Sequence, residues 1–262
     1  MNDRPVRSLI IGAAAVSLAA CGGGGGGVNS TPTPAPTPTR LGYQPVAATE
    51  TVEFAVAGGD LRIRWDNDSK AYELMLPGQD WAKLSADGDF YTVAGSNTSA
   101  YFSGSGRYSY TGIAKTDVPV EVVAYGLATP LSGVPVTGSA SYLADLVGDG
   151  GGYVLGGTGR LDFDFAAGSL AGFFDAIAKD PMDGADAHVL GRYDFTETVF
   201  SGGQNFSGSL SHAGTADGSF SGLFTGPHAQ ELMGQWELPF TDPAASGTTL
   251  TGTGVFVGKQ TP

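Results

Sequence analysis

One cysteine, Cys21, stands among 262 residues, so no intramolecular disulfide can form and the fold must rest on apolar burial and strand pairing. Basic residues are scarce as well: 13 Lys and Arg face 26 Asp and Glu, for a formal net charge of −13. Most faces of such a chain repel nucleic-acid phosphates and anionic lipid, which argues against nucleic acid as a partner and leaves a basic or metal-bearing protein open. The three histidines, His188, His212 and His228, lie far apart, and none shows the i, i+4 spacing of a helical metal site. Long apolar runs are missing too, since the run over 9–16 is shorter than the ~20 residues needed to span a bilayer. What the chain has in excess is glycine, 42 residues against 15 prolines, where an average globular chain carries ~7% glycine. There is no every-third-residue glycine repeat, so this is not collagen. From residue 50 to 258 glycine instead alternates with Val, Phe and Tyr, and it reads as punctuation between strands.

The N-terminus reads as an export signal. Arg4 and Arg7 precede the apolar run, and Leu18, Ala19 and Ala20 lead into Cys21. That tetrad resembles the lipobox of bacterial lipoproteins, which implies that the Cys21 thiol takes a diacylglycerol and that residues 1–20 are removed. Acyl chains at ~0.8 kcal/mol per buried methylene would hold the product on a membrane. Gly22 stands where inner-membrane retention in the resembled lipoproteins often uses aspartate, so the resemblance implies the outer membrane, with the cell surface as one of its two faces. Residues 21–45 form a tether, glycine-rich and then alternating Thr, Pro and Ala, without the apolar residues a core needs.

Beyond the tether the alternating pattern predicts an all-β chain, and a length of 262 residues leaves room for two mature domains. Val52, Phe54 and Val56, then Leu61, Ile63 and Trp65, then Tyr72, Leu74 and Leu76 recur at period two. Turns are expected at Gly58-Gly59-Asp60 and in the Asx-rich stretch after Trp65. Pro119 and the Thr116-Asp117 turn place a domain break near 118. The expected organisation is a small β-meander over 46–118 and, over 119–262, an antiparallel barrel of about eight strands counted from Val120, the number at which side chains fill the interior. One short helix is expected beside the barrel at 170–178, where Leu170, Phe173, Phe174 and Ile177 stand at helical spacing after Gly168-Ser169.

The run Gly218-Ser219-Phe220-Ser221-Gly222-Leu223-Phe224-Thr225-Gly226-Pro227-His228-Ala229-Gln230-Glu231-Leu232-Met233-Gly234 resembles the barrel of the transferrin-binding protein B family of surface lipoproteins. The family pattern, Gly-x-Phe-x-Gly-x-Phe-x-Gly-Pro-x-Ala-x-Glu-x-x-Gly, is matched at every fixed position. The stretch from Tyr125 to Tyr142 and the ending Gly254-Val255-Phe256-Val257-Gly258-Lys259 support it, and the resemblance covers about 120–260. A barrel strand carrying Phe220 and Phe224, then a helical turn opened by Gly226-Pro227 and capped by Glu231, fits the same residues. The resemblance implies non-enzymatic capture of a host or environmental iron or haem carrier protein, or docking to an outer-membrane receptor. It makes 46–118 a reduced handle domain. The chain has one barrel where the large two-lobed members have two.

A search for chemistry nominates no catalytic residue. Residues 148–152 lack the Lys-Ser/Thr of a phosphate loop. Asp162 and Asp164 share the wet face of a strand opposite Leu161, Phe163 and Phe165, and Asp66 and Asp68 fall in a turn. Gly208-Ser209-Leu210 lacks a nucleophile elbow. Trp65, Trp81 and Trp236 with Tyr72, Phe90 and Tyr91 suit core packing or a partner interface. His188 and His212 are kept as candidate axial ligands of haem, on the strength of the resemblance alone. No cofactor is otherwise required. Three functions remain: a cell-surface capture lipoprotein, a barrel that holds haem or another apolar ligand directly, and a structural envelope protein.

Overall fold

The computed structural model describes residues 51–87, 90–93, 99–103, 109–115, 120–182 and 187–262. The export signal, Cys21 and the tether therefore lie outside the described residues, as does the expected domain break at 116–119. The chain is all-β. Nine strands form one sheet: β1 (Val52–Glu53), β2 (Ala55–Ala57), β3 (Arg62–Asp66), β4 (Ala71–Met75), β5 (Ala82–Asp87), β6 (Phe90–Val93), β7 (Ser99–Ser103), β8 (Ser109–Lys115) and β9 (Val120–Gly126). Their spatial order is β1-β3-β4-β5-β6-β7-β8-β9-β2. Eight more form a closed antiparallel barrel in sequence order: β10 (Ser139–Gly150), β11 (Tyr153–Asp164), β12 (Ser169–Lys179), β13 (His188–Val199), β14 (Asn205–His212), β15 (Thr215–Thr225), β16 (Glu231–Thr241) and β17 (Thr249–Gln260). Closure is made by β10, which pairs with both β11 and β17 and leaves no free edge.

Three expectations are corrected. Residues 170–178 are not helical but form most of β12, paired along its length with β11 and β13. Residues 226–230 form a turn rather than a helical one, and Glu231 is the first residue of β16, 5% exposed. The single helical element among the described residues is the 3-10 turn Leu131–Gly133. Finally, Val120–Gly126 is not a barrel strand, because it pairs with β8 and β2 in the sheet. The barrel reaches eight strands because β12 replaces it.

Inside the barrel, large rings alternate with glycine across neighbouring strands. On β15, Gly218, Phe220, Gly222 and Phe224 face inward. A Cβ added at Gly222 would lie 2.6 Å from the Phe206 ring, and one at Gly208 would lie 2.7 Å from the Phe220 ring. Each such glycine is the floor on which a neighbouring ring rests, the pairing of small with large that lets eight strands close around aromatics. Phe163 has ring neighbours Phe224 at 4.8 Å, Phe200 and Phe206 at 5.2 Å and Tyr142 at 5.6 Å. A second nest joins Phe174, Phe195, Phe220 and Phe256. Each ring buried here contributes ~1.5–3 kcal/mol, plus ~0.5–1.5 kcal/mol where edges meet faces. The outer wall carries Asp145, Arg160, Asp175, Arg192, Asp194 and Glu237. This polarity is the reverse of a membrane-spanning barrel, which turns apolar side chains to lipid and polar ones to its lumen. Among the described residues no helix is long and apolar enough to cross a membrane.

The sheet has its own core of Phe54, Leu61, Ile63, Tyr72, Leu74, Leu84, Val123 and Tyr125. It docks on the barrel where Ala124 meets Met233, Val255 and Val257 of the outer wall. Gly58 (φ +90) allows a close approach: its N–H donates to Gln235 Oε1 at 3.0 Å, and a Cβ there would run into the Val255 side chain of the barrel wall. The chain leaving β9 then crosses one end of the barrel. There Thr129 N–H donates to the Phe224 carbonyl and Gly226 N–H to the Leu127 carbonyl, both at 2.9 Å, while Val134 enters the core.

Candidate functional site

The strap over 127–138, with Phe163, Phe165, Phe200, Phe206 and Phe224 beneath it, stoppers that end of the barrel. Tyr142 donates to the Ala229 carbonyl at 2.6 Å in the same layer, and burial pushes its phenol well above the usual range. At the opposite end the β10–β11 connection is only Gly151-Gly152, both with positive φ, and the β14–β15 connection is Ala213-Gly214. Beside the second of these connections, with the start of β13 and the end of β16, lies a cleft of about 520 Å³.

Two strands bulge at this mouth. On β13, Ala176 pairs with Gly191 and Ile177 with Val189, so Leu190 is an extra residue. On β15, Leu210 pairs with Gly218 and Ser211 with Ala216, so Asp217 is extra. Both extra residues line the cleft. A bulge breaks strict alternation and re-aims one side chain, and at barrel rims it brings to the mouth a residue that an unbroken strand would send elsewhere.

The same cleft brings His188 and His212 together, while His228 sits in the turn at the stoppered end. His188 opens β13 and is exposed. His212 Nδ1 lies 2.9 Å from the Arg192 carbonyl oxygen, which can only accept, so Nδ1 carries the hydrogen of that bond. The imidazole leans on Tyr193, with centroids 4.8 Å apart, and occupies space that a Cβ at Gly191 would invade at 2.8 Å. Tyr193 donates to the Pro239 carbonyl at 2.7 Å, and burial pushes its phenol up to about 12. Tyr153 donates to Asp242 Oδ1 at 2.8 Å, and Ala244 N–H does the same, which fixes that carboxylate at the rim. Leu190, Leu210 and Phe240 supply an apolar floor. No lysine or arginine lines the cleft.

Leu190, Tyr193, Asp217 and Asp242 were not among the candidate residues read from sequence. The signals for them are faint: Gly191 interrupting the alternation of β13, and two prolines, Pro239 and Pro243, bracketing the end of β16. The remaining candidates do not converge. Asp66 accepts the Ser69 amide at 2.8 Å within its turn, and Asp162 pairs with Arg160 at 2.9 Å on the outer wall. Trp65 packs against Tyr72 in the sheet, Trp81 lies under Arg64 at 4.3 Å, and Trp236 is inside the barrel with Nε1–H donating to the Val255 carbonyl. A second cleft, of about 430 Å³, lies beside the docked sheet between Gly58 and the outer wall, with Asp149 and Glu237 in its lining. Burial raises the Asp149 carboxyl there. Among the described residues, no group of three or more His, Cys, Asp or Glu is arranged to hold a metal ion.

No family model matches the chain, and no curated protein does. Solved structures do. Intact Ap-TbpB, with its N and C lobes, superposes with a TM-score of 0.50 at 18% identity, over 82% of this chain and 47% of that one. A transferrin-binding protein B double mutant from Haemophilus parasuis Hp5 gives 0.49 at 16% identity over 79% and 45%, and the isotype 1 protein of serogroup B Neisseria meningitidis gives 0.49 at 15% over 80% and 44%. The chain thus spans about half the length of the structures it matches. Its fold, a sheet docked on an eight-stranded barrel, is the transferrin-binding protein B fold.

Proposed function

We propose that this protein is a non-enzymatic lipoprotein of the outer membrane, anchored through Cys21, that captures a protein partner at the cell surface in the acquisition of iron or haem. The observation that carries the reading is the filled barrel: rings and glycines occupy its interior, so binding falls to outer surfaces, which suit a macromolecule better than a small enclosed ligand. The fold shared with Ap-TbpB supports it, and so does the lipobox-like tetrad ending at Cys21. The division into a handle over 46–118 and a barrel domain over 119–262 belongs to the same reading. Capture is tested by exposing immobilised full chain to host fluid and to iron-limited culture medium. A stoichiometric iron- or haem-carrying protein is expected, and retention of none would refute the proposal. Anchoring is tested by metabolic labelling with palmitate, which Cys21→Ser should abolish.

One observation favours a second reading, direct haem binding: His188 and His212 line a single cleft. Its test is an absorbance band on haem titration that is lost in both His188→Ala and His212→Ala.

A further inference from the structure

We propose that the mouth of the barrel is a socket for a lysine or arginine side chain presented by a basic segment of the captured protein; this rests on the capture reading above. The cleft, about 520 Å³, is large enough for a long side chain with its flanking backbone. Leu190, Leu210 and Phe240 offer an apolar floor to the methylene stem. Asp217 and Asp242 stand at the rim to receive the charged head.

Among the described residues no lysine or arginine lines the cleft beside these two carboxylates. Arg192, the nearest arginine along β13, is held on the outer wall by both oxygens of Asp175 at 2.9 Å and stacks 3.6 Å over Phe173. Asp242 is held in place by Tyr153 and Ala244, so no ordering is needed when a cation arrives. Asp217 owes its position to the bulge of β15. At longer range the formal charge of −13 steers a basic segment toward the molecule. Haem would bring anionic propionates against these two carboxylates, and a neutral apolar molecule would leave both unused.

The experiment is an NMR titration of the full chain with acetyl-Arg-Arg-amide, using acetyl-Glu-Glu-amide as the control. The amides of Gly191, Ala213 and Gly214 and the imidazoles of His188 and His212 report on the mouth. Saturable shifts confined to these groups are expected with the arginine peptide alone. Asp217→Asn, an isosteric change at an exposed residue, should weaken binding about five-fold, the worth of one partly exposed charge pair. Thr215→Lys, which places a cation on the cleft's own exposed rim, should block it. Equal response to both peptides, no response at the mouth, or indifference to Asp217→Asn would overturn the proposal. So would a haem band that depends on both histidines in a protein silent to the arginine peptide. Partner capture separates the two readings: if Thr215→Lys captures the partner as well as the parent chain does, the socket is wrong and capture stands. If the parent chain captures nothing, both fall.

Discussion

The two ends of the barrel are built from the same eight strands and treated in opposite ways. At one, a strap of chain and five phenylalanines make a dense layer, tied by Tyr142 to the turn at Ala229 and enclosing the Thr129 and Thr225 hydroxyls. At the other, two strands carry an extra residue, Gly191 and Ala213 take positive φ, and two imidazoles and two carboxylates surround a cleft. Both ends depart from strict pairing somewhere, β13 shifting register between Thr196 and Val199 near the stopper as well, so what separates them is dense packing at one and solvent access at the other. Buried packing is concentrated at the stopper, and accessible surface is left at the mouth.

Truncation at either end is the strongest way to break this comparison. Phe163→Ala at the stopper should cost ~3–5 kcal/mol, and Leu190→Ala at the mouth, half-buried, about 1 kcal/mol, read from urea midpoints at constant slope. Equal losses would mean that the mouth is core after all. A smaller contrast comes from glycine. Gly222→Ala pushes a Cβ to within 2.6 Å of the Met233 carbonyl oxygen and the Phe206 ring, and should cost ~1–3 kcal/mol, since neither can retreat. Gly214→Ala meets no atom within 4 Å and should lose only the ~1 kcal/mol of its φ of +87, with normal thermal cooperativity.

The smallest effect sharpens the contrast by pH. Both buried phenols are raised by burial, so the stability that depends on keeping them neutral is complete below the ordinary tyrosine range near 10 and is lost as pH climbs through their folded values. Tyr193 at the mouth should ionise at about 12, and Tyr142 beneath the strap likewise well above the ordinary range. Alkaline difference absorbance of Tyr193→Phe and Tyr142→Phe would assign the two late ionisations, and a variant that loses no signal above the ordinary tyrosine range would contradict the burial of that phenol.

Much of the barrel was legible because burial imposes period two: a closed antiparallel barrel of about eight strands was expected in the C-terminal half, and eight strands close there. β12 was not, for a physical reason. Its inward set is Leu170, Gly172, Phe174, Ala176 and Ala178, so small residues weaken the alternation. Its outward Phe173 is apolar because the Arg192 guanidinium covers it, and outward Ile177 pairs with Val189. Leu170, Phe173, Phe174 and Ile177 then mimic a helical stripe by coincidence. β9 was assigned to the barrel because its own pattern carries no mark of which neighbour it pairs with. At the site, two histidines far apart in sequence were noted, but their convergence depends on bulges and on barrel closure, neither of which local spacing encodes.

The first two strands are separated by one residue, Phe54, yet β1 pairs with β3 at one margin of the sheet and β2 with β9 at the other. The segment is therefore a clasp that fastens the sheet's first margin to its last. A mechanical pull at Thr51 would be borne by the two residue pairs of β1 and the three of β2 before reaching any other strand. Undoing the clasp would part both margins in one step and strip Phe54 from its core, so under load this domain should yield before the barrel does.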